Sequence, residues 1–407
     1  MTDQQNTAFG LTPRLARFFL QNKTFVVVWL ALFISIAGIA MVSPLLSVFA
    51  QDMGASGIWL GLAFSGFAIS QIPLMLIIGR LSDRFGKRLF LCLGLLIFAI
   101  AAAGYFWSPS YKELVFFRVI SGVGSAMVIP TAYAYVGELA PRGHEGRYMG
   151  LFNIAMIAGF GIGPMLGGMV YDRLGMDATF ISMGILSSLG AVVAFFFLPG
   201  RKSSLPAEAH RDVATPFVLM LKDNTIRGIV TFQLVLGLSY GAVVAFLGIF
   251  MTSELGTNLT LVGIVMSVRA IQNGTLAYPF GWLADRMNRV TLASVGLLVV
   301  GVCTLFIPWA GSFALLVVVF VILGTFESMA VPSVNAMTVE KGRVLGMGSV
   351  MGVFNMAMSA GLLIGALAGG AIDDSYGTAW VFRYAAIFAF AGVVVFNVFM
   401  RRKAVAS

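Results

Sequence analysis

Polar residues in this chain do not alternate with apolar ones; they gather in short clusters between long apolar runs. Twelve runs are long enough to span a bilayer, at roughly 24–50, 58–79, 89–107, 112–137, 146–171, 178–198, 224–251, 259–281, 290–308, 312–337, 344–372 and 378–400, given that a spanning helix needs about 20 predominantly apolar residues. None has the period-two alternation of a barrel strand. The pattern therefore predicts an all-α membrane protein of twelve transmembrane helices, with every backbone polar group bonded inside its own segment.

The pattern repeats at an offset of 202 residues. Gly79, Leu81, Asp83 and Arg84 fall on Gly281, Leu283, Asp285 and Arg286, and Asn153, Gly159, Gly163, Gly167 and Gly168 fall on Asn355, Gly361, Gly365, Gly369 and Gly370. Gly122 and Pro130 likewise meet Gly324 and Pro332. A register held over so many positions predicts two parallel, pseudo-symmetric six-helix bundles related by an axis along the membrane normal. They are expected at 24–198 and 224–400, with an N-terminal segment at 1–23, a linker at 199–223 and a tail at 401–407. Arg14, Leu15, Phe18 and Phe19 read either as a short amphipathic segment on the membrane surface or as a frayed polar terminus.

Composition agrees: 59% of residues are hydrophobic and only 11% charged, which excludes an ordinary soluble protein. The formal charge of +9 raises the question of nucleic acid, and its distribution answers it. Most Lys and Arg lie in the termini and in alternate loops on the N-terminal side, so the positive-inside rule places both termini in the cytoplasm of a cell-membrane protein whose partner is the bilayer, with no role for nucleic acid. The first run is too long for a cleavable signal and matches the seventh, so it is expected to stay as a helix. Cys92 and Cys303 sit in apolar helices and read as packing, so neither a disulfide, a metal nor a cofactor is expected.

GRLSDRFGKR, Gly79 to Arg88, closes the second run. Gly79 permits close helix approach, Asp83 offers a carboxylate at the interface, and Arg84, Lys87 and Arg88 supply the inward-side charge. The basic residues read equally as a topology anchor. Asp83 is suited to dock on the positive end of a helix starting on the same face, and the eleventh, beginning near 341–348, does so.

These residues resemble the signature of the major facilitator superfamily. GRLSDRFGKRLFL fits its loop 2–3 pattern, with Ser82 in place of Ala. LVFFRVISGVGSA carries Arg118, Gly122 and Gly124 where the fourth-helix box has them, and GFGIGPMLGG supplies Gly159, Gly163, Pro164, Gly167 and Gly168 of the fifth-helix box associated with the drug:proton antiporter branch. The copy of that last box, GLLIGALAGG, has Ala366 for the proline. The resemblance implies an alternating-access transporter whose halves rock around a central cavity. It also implies that Asp83, Gly86 and their basic neighbours act with Glu138 as a latch on the inner side, and that Arg118 works with an acidic residue on the first helix. That acid is missing, because 24–50 contains no Asp or Glu.

Two charges stand deep in the second bundle, Arg269 in the eighth helix and Glu327 midway along the tenth. Each costs about 2.5–3.5 kcal/mol at the centre of an isolated spanning helix, so both are expected to face a polar cavity or each other. Two readings stand: a structural salt bridge, or a protonatable pair in which Glu327 takes the coupling proton and releases Arg269. Arg118 is read either as part of that coupling or as a structural group bonded to backbone carbonyls. Gln71, Asn153, Gln233, Tyr240, Gln272, Asn273 and Asn355 are the remaining polar candidates for a substrate cavity.

Together these features point to a monomeric secondary active transporter, with proton-coupled efflux of small amphipathic or hydrophobic compounds preferred over lipid, lysolipid or nutrient transport. A non-transporting scaffold or sensor is the rival of another class. No buried nucleophile and base suggest an enzyme, since His144 and His210 both lie in loops.

Overall fold

The computed structural model describes residues 23–139, 145–198 and 220–404. The N-terminal segment to residue 22, most of the linker and the last three residues of the tail lie outside the described residues. Every regular element described is helical. The first half holds α1 (Lys23–Val42, resumed as Leu46–Asp52), α2 (Ile58–Ser65 and Phe67–Phe85), α3 (Lys87–Phe106), α4 (Tyr111–Leu139), α5 (145–174) and α6 (176–197). The second holds α7 (Asn224–Ser253), α8 (Leu259–Arg286), α9 (Arg289–Phe306), α10 (Phe313–Leu345), α11 (Met347–Tyr376) and α12 (Thr378–Ala404).

Helix α5 runs without a hydrogen-bonding gap into α6, giving an unbroken apolar stretch of 50 residues, Tyr148–Phe197. At 1.5 Å per residue that is more than twice a bilayer core, so the stretch holds two spans. Gly175 separates them, with φ at +83°, a conformation natural only to glycine. Gly377, its counterpart 202 residues on, has φ +83° between α11 and α12, so the duplication is written into the backbone.

Elements depart from the apolar runs where the backbone is forced to. Pro44 interrupts α1, and α2 bends by 46° around Gly66. Helix α10 continues past the expected loop, so Lys341 and Arg343 belong to its final turns and α11 starts only at Met347, because nothing breaks the helix before Gly346 at φ +96°.

The halves meet through two symmetry-related helix pairs, α5 with α8 and α2 with α11. A Cβ at Gly168 would lie 2.2 Å from the Leu259 carbonyl oxygen, and one at Gly370 would lie 2.1 Å from that of Gly57. These are one contact repeated by the duplication. Both fall on the face opposite the basic loops, where the largest buried cluster joins the two halves through Val48, Phe64, Phe246 and Leu259. Toward the basic face the second half keeps a cluster of its own around Ile226, Phe232, Val350 and Phe396. There, a Cβ on Gly150 of α5 or Gly281 of α8 would meet nothing within 4 Å.

Candidate functional site

Between the halves lies a cavity of about 430 Å³. Its wall is mostly apolar, with Phe64, Phe67, Met156, Phe160, Met266 and Met358 prominent, and Pro164 of the fifth-helix box forms part of it. Charge enters this wall at three residues: Arg118, Arg269 and Glu327.

Arg269 on α8 and Glu327 on α10 form a bidentate ion pair, Nε to Oε2 at 2.8 Å and Nη2 to Oε1 at 3.1 Å. Both residues are only 6% exposed. Helices α8 and α10 pack side by side, which brings these positions face to face. The guanidinium lies 4.6 Å from the ring of Tyr240, contributed by α7. Its remaining nitrogen, Nη1, is buried without a hydrogen bond among the described residues. Such a pair offsets its desolvation only while both charges are present, so changing the charge of either member alters the balance of the whole wall.

Arg118 is bonded differently. Its Nε donates to the Phe64 carbonyl at 2.9 Å, its Nη2 donates to Ser43 Oγ at 3.0 Å, and the Phe67 ring lies 4.9 Å away. These two contacts flank in sequence the bend of α2 at Gly66. Among the described residues Arg118 has no carboxylate partner.

The polar candidates divide. Tyr240 and Asn273 line the cavity with the three charges. Gln71 lies in a smaller adjoining cavity of about 110 Å³, where its Nε2 donates to Ser125 Oγ at 2.7 Å. Gln272 turns its Cβ toward Gly324, and Gln233 is buried without reaching the wall. Asn153 accepts from the Tyr133 hydroxyl and Asn355 donates to its own helix at the Met351 carbonyl. These four were expected in the wall and are not in it. Asn153 and Asn355 sit about one turn nearer the basic face than Met156 and Met358, the first lining residues of their helices.

Around the loop 2–3 box, Gly79 and Asp83 lie in the last turns of α2 and Glu138 near the end of α4; their side chains are outside the described ones. Arg84 is exposed, Gly86 turns the chain at φ +101°, Lys87 is buried, and Arg88 donates to the Phe195 carbonyl on α6 while lying over the Phe195 ring. Arg88 thus ties α3 to α6 within the first half.

Sequence reasoning did not single out Asp172. Its carboxylate, at the end of α5, accepts from Leu259 N at 3.2 Å, Thr260 N at 2.8 Å and Thr260 Oγ1 at 2.5 Å, across the boundary between the halves. The duplication carried the signal, because Asp374 stands 202 residues further on.

A charged pair in an apolar cavity between two duplicated helical bundles defines a membrane transporter of the two-half kind. The Major Facilitator Superfamily profile matches the chain twice, over residues 28–243 and 229–407, and the protein belongs to that family. An uncharacterized MFS-type transporter, MJ1560, of Methanocaldococcus jannaschii is 25% identical over 384 residues, covering 90% of this chain and 95% of the relative. Quinolone resistance protein NorA of Staphylococcus aureus strain Mu50 is 28% identical over 183 residues, a match that spans 45% of this chain and about half, 47%, of NorA. Among solved structures, a POT family transporter in complex with a thioalcohol-conjugated peptide superimposes with a TM-score of 0.78 at 14% identity, covering 93% of this chain and 96% of that one.

Proposed function

We propose that the protein is a proton-coupled exporter that works by alternating access and carries small amphipathic or hydrophobic, drug-like compounds. The observation that carries this reading is the Arg269–Glu327 pair in the wall of an otherwise apolar cavity between the halves. A cavity of this size falls within the roughly 300–1,000 Å³ of small-molecule sites. Protonating Glu327 leaves Arg269 without its counter-charge, so the arrangement of α8, α10 and Tyr240 that is favoured with the proton differs from the one favoured without it. The partial match to a quinolone resistance protein supports drug-like substrates and makes quinolones the first to try.

In this reading the basic loops and both termini are cytoplasmic, and the structure, joined on the other face, is the inward-facing member of the cycle. Asp83 and Glu138 then latch the inner side in the opposite state, and Gly86 supplies the turn between α2 and α3 that positions the latch.

Purified protein in liposomes with an imposed pH gradient tests the reading directly. The expected result is uphill movement of a quinolone or a lipophilic fluorescent dye that stops when a protonophore collapses the gradient. Movement that ignores the gradient contradicts proton coupling, and no movement of any tested compound contradicts drug export.

A further inference from the structure

The first N–H groups of a helix have no partner inside it, and α8 finds partners for three of its own in a telling way. Asn258, its N-cap, accepts from Leu261 N at 3.1 Å. The N–H groups of Leu259 and Thr260 are taken by Asp172, which belongs to the other half of the molecule. A carboxylate on the positive end of a helix, bonded through two backbone donors and a hydroxyl, joins α5 to α8 on the outer face with a charge-assisted contact.

The duplication places a second carboxylate in the equivalent position. Asp374, at the end of α11, lies against Gly57, the residue from which α2 starts; a Cβ at Gly57 would come 1.9 Å from Asp374 Oδ2. Asp374 touches this helix start without a hydrogen bond to it among the described residues, so the two contacts share a place and differ in strength. Each aspartate follows, by one helical turn, a glycine at which the halves approach closely: Gly168 before Asp172, Gly370 before Asp374.

We infer that Asp172 and Asp374 are outer-gate residues of the transport cycle, which hold the outer face closed by capping the second helix of the opposite half, Asp172 as the stronger latch and Asp374 as the weaker. Opening the outer face must pull α5 from α8 and α2 from α11. That motion breaks the Asp172 bonds and exposes the α8 donors, so the charge on Asp172 favours the closed outer face. The inference needs only the two-half transport cycle and is independent of the compound carried or the coupling ion.

Spin labels on Lys112→Cys and Ala314→Cys, exposed positions at the starts of α4 and α10 on the outer face, report the distance between the halves there. Cys92 and Cys303 are buried and are replaced by alanine in this background. Asp172→Asn is expected to raise the ratio of long to short distances about two- to five-fold, the usual strength of a carboxylate at a helix N-terminus. Asp374→Asn is expected to raise it less, and the double variant more than either. Asp172→Glu, which keeps the charge, should stay close to the parent. Asp177→Asn, an exposed acid on the same face, is the control and should not move the distribution. Unchanged distances in the double variant, or an equal shift in the control, overturn the latch. Thermal unfolding of each variant separates a shifted gate from a damaged fold, since a gate shift changes the distances of a protein that still melts cooperatively.

Discussion

Glu327 of α10 occupies in the second half the place that Ser125 of α4 occupies in the first. Their partners correspond as well. Asn273 of α8 stands where Gln71 of α2 stands, and Arg269 where Phe67 does. In the first half, Gln71 and Ser125 join α2 to α4 by one neutral hydrogen bond of 2.7 Å. In the second, Arg269 and Glu327 join α8 to α10 by a bidentate ion pair. One helix-to-helix link is thus titratable in only one of the two copies.

The pairing has a measurable energetic consequence. Glu327→Gln or Arg269→Gln alone leaves one buried charge uncompensated and is expected to cost about 3–5 kcal/mol. The double variant, with two neutral amides, should recover a large part of that loss. Thermal unfolding of the four proteins in detergent reads the coupling directly, and additive losses would show that the two side chains act independently.

Asp223 should make stability depend on pH at the basic face. It caps α7, accepting from Thr225 N at 2.7 Å and Ile226 N at 3.3 Å, and it pairs with Lys341 at the end of α10. Partial burial pushes its carboxyl pKa up, but the Lys341 pair and the helix N–H donors outweigh burial and hold it below the usual carboxylate range. A lowered pKa means that the stabilisation is fully present above the ordinary carboxylate pKa of about 3.9 and is lost as pH falls through the lower, folded-state value. Asp223→Ala is therefore expected to lower stability by about 0.5–2 kcal/mol at pH 7. The gap between variant and parent should narrow only below about pH 4. Melting curves from pH 8 to pH 3.5 provide the check.

How far the sequence could be read depended on whether a residue's surroundings leave a mark on residue type. Spans were legible because lipid demands about 20 apolar residues, and the register of the duplication matched Gly168 with Gly370, although nothing in residue type told these two glycines, which meet the other half, from Gly159, Gly163 and Gly167, which pack on α1. Arg269 and Glu327 stood out because charge is costly at that depth. The apolar wall did not, since Met156, Phe160 and Met358 facing a cavity look the same in sequence as residues facing lipid. Asn153 and Asn355 misled for a related reason: polarity marked the right helices but not the height at which the halves part. Asp172 was hidden because an acid at a helix end reads as ordinary until its partner, α8 of the other half, is seen.

The two copies of the loop 2–3 aspartate should differ. Asp285 is exposed and pairs within its own half, its carboxylate 3.6 Å from Arg289. Asp83→Asn is expected to reduce transport severely at equal membrane abundance, while Asp285→Asn, which removes a surface pair worth about 0–1 kcal/mol, should transport nearly as the parent does. Equal effects would mean that the two copies share the latch.

The most direct test of proton coupling at Glu327 is proton release on substrate binding, measured with a pH indicator in weakly buffered detergent solution. If proton and substrate exclude one another, adding a quinolone to the parent protein should release protons, and Glu327→Gln should still bind the quinolone but release almost none. Undiminished release from Glu327→Gln would contradict the account and move the proton site elsewhere, with Asp83 and Glu138 the next residues to change.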